Sequence, residues 1–159
     1  MVEVSKLDRI DRRILAALQE DGRVTNQALS ERVALSPSAC LARVKRLEHE
    51  GIIKGYHARL DPFMLEVGLI LFAEITLQAH SAQDLATFEK ALASEPHIVE
   101  ASHVTGDYDY LLKVVVADMA EWNEIAEKLT SHDIGVDRIN THVVRDKPKV
   151  FVGYPIKPA

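Results

Sequence analysis

Three absences narrow the range of possible functions. The sequence has 159 residues and a single cysteine, Cys40, so an intramolecular disulfide is excluded and a reducing compartment fits. No stretch reaches the ~18 unbroken apolar residues that a membrane helix needs. Glu74 and Thr76 interrupt the nearest candidate, residues 67–77. The first residues also lack the apolar core of a secretion signal. We therefore expect a cytoplasmic protein with no membrane partner.

Sequence motifs for catalysis, cofactors and metals are missing as well. There is no glycine-rich phosphate loop ending in Gly-Lys-Ser/Thr. Ser36 and Ser38 have no neighbouring histidine–aspartate motif that would make either of them a nucleophile. His97, His103 and His142 are scattered, with no cysteine or paired carboxylate at ligand spacing. The sequence therefore predicts no catalytic residue, no cofactor and no bound metal, which is typical of a protein that is not an enzyme.

The net charge of −5 conceals a difference between the two ends of the chain. Residues 1–60 carry 11 Lys and Arg against 8 Asp and Glu, whereas residues 61–159 carry 8 against 16. A basic segment beside an acidic one is typical of a nucleic-acid-binding domain joined to a domain with another task. Asp61-Pro62 breaks the chain between them, so we predict domains at residues 1–62 and 63–159.

The first predicted domain has the apolar spacing of three helices followed by a hairpin. Apolar residues recur every three or four positions from Leu7 to Leu18, which predicts a helix that Gly22 ends in a left-handed conformation. Thr25 or Asn26 caps a short second helix. Ser36-Pro37 opens a third helix. Residues 52–60 look like a small hairpin, or wing, with a glycine near its turn.

Two short helices joined by a tight turn allow the second of them to enter the major groove of DNA. In the predicted third helix, small residues such as Ser38 and Ala42 would permit close approach to base edges, and Arg43 would bond a guanine or a phosphate. An ordinary three-helix bundle with a solvated basic face is the alternative. The predicted DNA-contacting residues are Thr25, Asn26, Gln27, Ser36, Ser38, Ala39, Ala42, Arg43, Lys45 and Arg46. The predicted wing would add Lys54, His57 and Arg59.

The second predicted domain alternates strands with helices. Helices begin at Ser81 and Asp118. Strands are predicted near residues 69–78, 97–105, 108–117 and 136–146, with a possible extra strand at 149–154. The order β-α-β-β-α-β is the ferredoxin-like, or split-βαβ, arrangement. The predicted fold class is therefore α+β, with an N-terminal winged helix-turn-helix and a C-terminal ferredoxin-like βαββαβ sandwich.

Two predicted strands are apolar on both faces, although helices in this arrangement cover only one face of a sheet. The first strand has Leu71 and Ala73 on one side and Ile70 and Phe72 on the other. A strand that is apolar on both faces is usually buried on both faces, and burial of the second face by another subunit is favoured here. The alternative is cover by the protein's own N-terminal domain or its C-terminal tail.

Motifs in both halves resemble the Lrp/AsnC family of regulators. They are residues 7–15 (LDRIDRRIL), 21–23 (DGR), 35–40 (LSPSAC), 43–48 (RVKRLE), 51–56 (GIIKGY), 60–62 (LDP) and 105–112 (TGDYDYLL), followed by the Asp118 helix start and Gly135-Val136. The resemblance covers nearly the whole chain. It implies a winged helix-turn-helix for double-stranded DNA, joined to an αβ-sandwich domain that senses an amino acid and assembles the chains. It also implies a homodimer that pairs through its sheets, often within a tetramer or octamer.

The resemblance further implies that a small-molecule effector binds near residues Thr105, Gly106, Asp107, Tyr108 and Asp109. Glycine allows a tight turn that presents backbone N–H groups to a carboxylate, and an aspartate there would pair with an α-ammonium group. A plain Gly-Asp hairpin turn remains the alternative. A dimer would read pseudo-palindromic half-sites about one helical turn, roughly 34 Å, apart. Two other classes of function stay open, a small enzyme on the same fold and an architectural DNA protein that ignores ligands.

Overall fold

The computed structural model describes residues 7–65, 67–131 and 134–156. The chain divides into two compact units, Met1–Arg59 with Lys149–Ala159, and Leu60–Pro148. The first boundary falls three residues before the predicted one. The predicted assignment of residues 149–159 to the second domain differs from this division, because the C-terminal tail packs with the helical unit.

Three helices build the first unit: α1 (Arg9–Glu20), α2 (Asn26–Val33) and α3 (Pro37–His49). Each begins at a side chain that accepts a backbone N–H of the first turn, as good N-caps do. These caps are Asp8, Thr25 and Ser36. The helices enclose a small core of Ile14, Ala17, Leu29, Val33, Cys40 and Leu47. Cys40 is fully buried, and this burial raises the pKa of its thiol.

The left-handed residues of this unit differ in part from the prediction. Gly22 follows the end of α1 but does not have a positive φ. The left-handed residue is instead Ala34, with φ 58° and ψ 49°, which caps α2 in the turn before α3. An alanine cannot be recognised as left-handed from its identity, because the conformation costs it about 1–2 kcal/mol and is rarely seen. Gly51, with φ 68°, ends α3 as a glycine can.

The predicted hairpin at residues 52–60 is wrong. These residues, all of them described, form no strand. The N–H groups of Ile52 and Ile53 both donate to the carbonyl of Leu47, at 2.9 and 3.1 Å, so the chain folds back onto the end of α3 instead of extending. Ile52 and Ile53 pack against the helical core. Lys54, His57 and Arg59 are exposed beyond this turn.

The second unit contains the predicted β-α-β-β-α-β order. A short 3₁₀ turn (Pro62–Leu65) precedes its strands and helices. These are β1 (Leu69–Leu77), α4 (Ala82–Ser94), β2 (Ile98–His103), β3 (Tyr110–Val116), α5 (Met119–Leu129) and β4 (Val136–Val143). The strands lie in the order β2-β3-β1-β4 and every neighbouring pair is antiparallel. This topology is that of the ferredoxin-like fold.

Helices α4 and α5 cover one face of this sheet. Their Phe88, Leu92, Trp122, Ile125 and Leu129 pack against the alternate strand residues Leu71, Ala73, Ile75, Leu112 and Val114. The Trp122 indole N–H also donates to Thr141 Oγ1 of β4, at 3.0 Å. Because side chains alternate along a strand, the neighbouring residues point away from the helices.

We call the other side of the sheet the open face. Its apolar residues are Ile70, Phe72, Leu111 and Val115; Ile70 pairs with Val115, whereas Phe72 pairs with Lys113 and Leu111 with Glu74. Polar side chains therefore alternate with apolar ones on this face. Glu74 lies 3.1 Å from His142 Nε2 and accepts from Asn140, and Lys113 lies 3.8 Å from Glu100. β1 and β3 therefore carry apolar residues on both faces, as the sequence predicts, although Glu74 and Lys113 interrupt them on the open face.

The C-terminal tail forms no strand over the described residues 149–156, so the possible extra strand is wrong. Its backbone pairs with a side chain instead. Tyr154 N–H donates to Gln19 Oε1 at 2.6 Å, and Gln19 Nε2 donates to the Tyr154 carbonyl at 3.0 Å. One amide of α1 therefore satisfies both backbone groups that a strand partner would have used.

No helix in the described ranges is long and apolar enough to cross a membrane.

Candidate nucleic-acid interface and effector loop

The turn between α2 and α3 fixes the start of the predicted recognition helix. After left-handed Ala34, Ser36 Oγ accepts the N–H of Ala39 at 3.3 Å and lies 3.2 Å from Ser38 Oγ. The Asn26 side-chain amide donates to the Pro37 carbonyl at 2.8 Å. Two of the predicted DNA-contacting residues, Asn26 and Ser36, therefore hold the two helices of the motif together.

One side of α3 is open to solvent. It combines small residues with a basic one: Ser38, Ala39, Ala42 and Lys45 are all exposed. Small side chains at the start of a helix allow its backbone to approach base edges, and a lysine further along reaches a phosphate. Leu41 and His49 are exposed on this helix too, although neither is among the predicted contacts. The apolar spacing of this helix allows either Cys40 or Leu41 to face the core, and the structure buries Cys40.

An exposed basic face would require Arg43 and Arg46 to project freely into solvent, and they do not. Arg43 Nη1 donates to Asp8 Oδ2 at 2.6 Å and to Asp11 Oδ1 at 2.9 Å. Arg46 Nη2 lies 2.6 Å from the same Asp11 oxygen. The two arginine side chains remain 30% and 39% exposed. They therefore join α3 to α1 while keeping part of each side chain accessible.

The acidic residues of this cluster are not among the predicted site residues. Asp8 caps α1, and Asp8 and Asp11 exchange side-chain bonds with each other's backbone N–H in a capping box. Asp11 is only 1% exposed. Its position three residues before Ile14 places it on the buried stripe of α1, and that spacing is the signal that could have shown it to be an internal partner for a basic residue.

The remaining predicted DNA-contacting residues lie at the start of α2. Thr25 Oγ1 accepts the N–H of Ala28 at 3.2 Å. The Gln27 side-chain amide donates to Glu31 Oε1, one turn along, at 2.7 Å. Both Thr25 and Gln27 are exposed, whereas Asn26 is half-buried.

The predicted effector residues 105–109 lie in a loop of residues 104–109 between β2 and β3, which is longer than a two-residue Gly-Asp turn. Val104 N–H donates to the Asp109 carbonyl at 2.9 Å and closes the loop. Gly106 has φ 142°, a conformation that L side chains rarely adopt, and a β-carbon there would meet nothing within 4 Å. The glycine is therefore required by the backbone path and not by crowding. Thr105 and Asp107 are exposed, and Tyr108 is half-buried.

Asp109 differs from Asp107 because its carboxylate already has partners. Oδ2 accepts the N–H of Leu77 at 2.8 Å, and Oδ1 lies 2.9 Å from His80 Nε2. Its own N–H donates to the carbonyl of Ile75 at 2.8 Å. Asp109 thereby attaches the loop to the end of β1, and exposed Asp107 is the carboxylate left facing solvent.

A separate cavity of about 390 Å³ lies at the opposite end of β3. Apolar residues including Val67, Val99 and Val115 line it, together with His97 and Glu121. His97 lies 2.8 Å from Glu95 Oε1 and 3.2 Å from Glu121 Oε1. None of the predicted effector residues borders this cavity. In the described part of the chain, no three His, Cys, Asp or Glu side chains are grouped so that they could hold a metal ion.

A helix-turn-helix with exposed small residues and a lysine, followed by a ferredoxin-like sandwich with a glycine-containing loop, is an arrangement typical of DNA-binding regulators that carry a ligand-binding domain. Comparison with known families agrees. The family described as "Winged helix-turn-helix DNA-binding" matches residues 7–54. The family described as "Lrp/AsnC ligand binding domain" matches residues 70–151.

Individual relatives are similar over most of their length. The leucine-responsive regulatory proteins of Escherichia coli and Klebsiella pneumoniae are each 44% identical over 143 residues, which is 90% of this chain and 87% of theirs. Among solved structures, a Neisseria meningitidis transcriptional regulator in complex with L-Met has a TM-score of 0.85 and 35% identity, covering 94% of this chain and 97% of that one. An AsnC family regulator from Agrobacterium tumefaciens has the same TM-score and 31% identity, and covers 94% and 97% of the two chains.

The chain belongs to the Lrp/AsnC family of transcriptional regulators. It is a DNA-binding regulator with a ligand-binding domain and not an enzyme.

Proposed function

We propose that the chain reads operator DNA as a symmetric homo-oligomer in the cytoplasm, and that an amino acid bound at the effector loop changes this binding. The observation that carries the DNA-binding part is the exposed side of α3, where Ser38, Ala39 and Ala42 leave room for base edges beside Lys45. In this proposal Thr25 and Gln27, exposed at the start of α2, contact the sugar-phosphate backbone.

The predicted contacts of α3 divide into two groups. Ser38 and Ala42 would face the bases, because they are small and lie on the exposed side of the helix. Arg43, Lys45 and Arg46 would contact phosphates. Lys45 is exposed, and the two arginine side chains keep 30% and 39% of their surface accessible although they are paired with Asp8 and Asp11. Ser36 and Asn26 would support this surface by fixing the turn.

The proposed dimer forms through the open face of the sheet. Phe72, Leu111 and Val115 are its partly exposed apolar residues, whereas Ile70 is buried within the single chain. Glu74 and Lys113 lie among them on the same two strands, each paired with an oppositely charged or titratable partner, His142 and Glu100. Interfaces between subunits combine apolar side chains with polar ones in this way. Further assembly of dimers into tetramers or octamers would bring effector loops of neighbouring dimers together.

The proposed effector is an amino acid. Exposed Asp107 would pair with its α-ammonium group, while backbone N–H groups near Gly106 would bond its carboxylate. Asp109 would support the site, because its carboxylate is bound to Leu77 and His80. The names of the relatives agree with this class of ligand, since one group is leucine-responsive and one structure contains L-Met.

In vitro selection tests sequence-specific binding. The full chain is used to enrich a random pool of DNA duplexes, and the selected sequences are aligned. We expect a pseudo-palindrome with half-site centres separated by about 34 Å or a multiple of it. Ser38→Ala should change the preferred bases, whereas Ser94→Ala, exposed at the end of α4 and outside the predicted DNA contacts, should leave them unchanged. Enrichment without any consensus would favour an architectural DNA protein instead.

An effector titration tests the second part of the proposal. Affinity for the selected duplex is measured at fixed salt with a panel of amino acids that includes leucine and methionine. At least one should change the affinity, and Asp107→Asn should reduce that response while DNA binding persists. Asp137→Asn, an exposed carboxylate on β4, is the matched control. Indifference of the complex to every amino acid would reject the effector site.

Sedimentation velocity tests the proposed dimer. Leu111→Arg places a charge in the centre of the open face and should shift the protein towards the monomer. Ala86→Arg, exposed on α4, places the same charge elsewhere and should leave assembly unchanged. An unaltered oligomer in Leu111→Arg would exclude this face as the interface.

A further inference from the structure

A buried carboxylate lies beneath the basic edge of the recognition helix. Asp11 is 1% exposed, and its Oδ1 lies 2.9 Å from Arg43 Nη1 and 2.6 Å from Arg46 Nη2. One oxygen therefore contacts two guanidinium groups that are about a helical turn apart on α3. Asp8 Oδ2 lies 2.6 Å from the same nitrogen of Arg43 that contacts Asp11.

This cluster determines where the two positive charges of the helix lie. A free arginine side chain explores many rotamers and loses that freedom when it binds a phosphate. Arg43 and Arg46 are already fixed by Asp11, so less freedom remains for binding to remove. The carboxylate also offsets the repulsion between the two like charges, which it holds close together. Hydrogen bonds to Asp8 and Asp11 raise the pKa of Arg43, and the contact with Asp11 raises the pKa of Arg46.

The negative charge of Asp11 is already neutralised in the protein without DNA. Two guanidinium groups contact its buried carboxylate, whereas each arginine side chain keeps about a third of its surface accessible. Phosphate binding needs an N–H donor directed outward, and arginine has five donors, of which the bonds to Asp8 and Asp11 occupy a minority.

We infer that Asp11 is a positioning residue for DNA binding, which holds Arg43 and Arg46 as a preformed pair for consecutive backbone phosphates. This inference rests on the proposed function and names a residue that does not itself touch the nucleic acid. Asp8 has the same role for Arg43 alone, since its ion pair is with that arginine.

The sign of the effect separates positioning from plain electrostatics. Asp11→Asn removes a negative charge from a DNA-binding domain, and electrostatic attraction alone would then strengthen binding. Positioning predicts the opposite, because the arginines lose the anion that orders them. A role confined to joining α1 and α3 would lower the unfolding temperature without weakening DNA binding at temperatures where the variant is folded.

The test measures fluorescence anisotropy of a labelled, mixed-sequence duplex with the full chain over a series of salt concentrations. We expect Asp11→Asn to weaken binding on the order of tenfold. We also expect the slope of log affinity against log salt to become shallower by about 0.9 for each phosphate that the variant no longer neutralises. Glu20→Gln, which removes an exposed charge from the end of the same helix, is the matched control and should bind equally or slightly more tightly.

The outcomes separate this inference from the proposed function. Wild-type protein that fails to bind the duplex would reject the proposed function itself. Wild-type binding with Asp11→Asn equally tight or tighter would reject only the positioning role. If Asp11→Asn does not fold by circular dichroism, Asp8→Asn replaces it, because asparagine is also a good N-cap. Asp8→Asn should weaken binding by a smaller factor, and unchanged or tighter binding of that variant would overturn the inference.

Discussion

The backbone of Gly68 passes so close to Ala117 that a β-carbon on Gly68 would lie 1.7 Å from the Ala117 carbonyl oxygen. Gly68 directly precedes β1, and Ala117 directly follows β3, the strand paired with it. Gly68→Ala should therefore force these strand ends apart. We expect a loss of stability at the upper end of about 1–3 kcal/mol, measured by urea unfolding.

A second glycine provides the control for this prediction. A β-carbon on Gly22 would meet Tyr56 at an ordinary van der Waals distance of 3.5 Å. The free energy of unfolding of Gly22→Ala should therefore lie within about 1 kcal/mol of the wild-type value. Equal stabilities of the two alanine variants would show that the approach of Gly68 to Ala117 does not constrain the fold.

Ala34 occupies a conformation that suits glycine better. Its φ of 58° and ψ of 49° place it in the left-handed region, where a β-carbon is unfavourable. Ala34→Gly should therefore stabilise the helical unit by about 0.5–1 kcal/mol, after the larger entropy of the unfolded glycine chain is subtracted. Thermal unfolding measures the change.

An alanine-to-glycine substitution inside a regular helix tests whether the left-handed conformation is the cause. Ala16 is exposed in the interior of α1. Ala16→Gly should destabilise by about 1 kcal/mol, because glycine has a low helix propensity. A destabilised Ala34→Gly would mean that the turn before α3 is not strained by its alanine.

The carboxylate of Asp8 makes stability depend on pH. The backbone N–H of Asp11 and the Arg43 guanidinium lower the pKa of Asp8 from 3.8 to about 2. A lowered pKa stabilises the folded state fully above 3.8, and this contribution is lost as the pH falls towards 2. Asp8→Asn lacks this dependence, so its stability deficit should be constant near neutral pH and should shrink between pH 3.8 and about 2.

Urea midpoints of the wild type and Asp8→Asn, measured side by side from neutral pH to pH 2, check this prediction. Titration of other carboxyl groups is shared by the two proteins and cancels in the difference. A difference that stays constant through acid pH would show that Asp8 gains nothing from Arg43 or Asp11 in the folded state.

The phenol of Tyr110 should ionise at a higher pH than that of an exposed tyrosine. Burial and a hydrogen bond to Glu89 at 3.0 Å raise its pKa to about 12. The raised pKa contributes stability that is present below pH 10 and is lost as the pH rises from 10 to about 12. The ultraviolet difference spectrum between wild type and Tyr110→Phe isolates the phenolate of this residue. A midpoint near 10 in that difference would contradict the burial of Tyr110 against α4.

The sequence by itself determined the order of the elements and most of their ends. Periodic apolar residues specified three N-terminal helices and a β-α-β-β-α-β unit, because periods of 3.6 and 2 residues are local properties of a chain. Caps such as Ser36, Ser81 and Asp118 could be recognised for the same reason, since each acts on a backbone group within three residues. The motifs also identified the family.

The tertiary structure alone decided which polar groups meet. From the sequence, Arg43 is a free side chain for a guanine or a phosphate, but in the structure α1 and its N-cap place Asp11 and Asp8 beside it, 32 and 35 residues away in the chain. Asp109 likewise appeared equivalent to Asp107 until β1 supplied Leu77 and the segment after it supplied His80. The C-terminal tail has the residue pattern of a strand, but its backbone bonds to the side chain of Gln19 instead of to another strand. Hydrogen bonds and ion pairs between distant segments depend on distances of a few ångströms, and only the packing of the elements sets those distances.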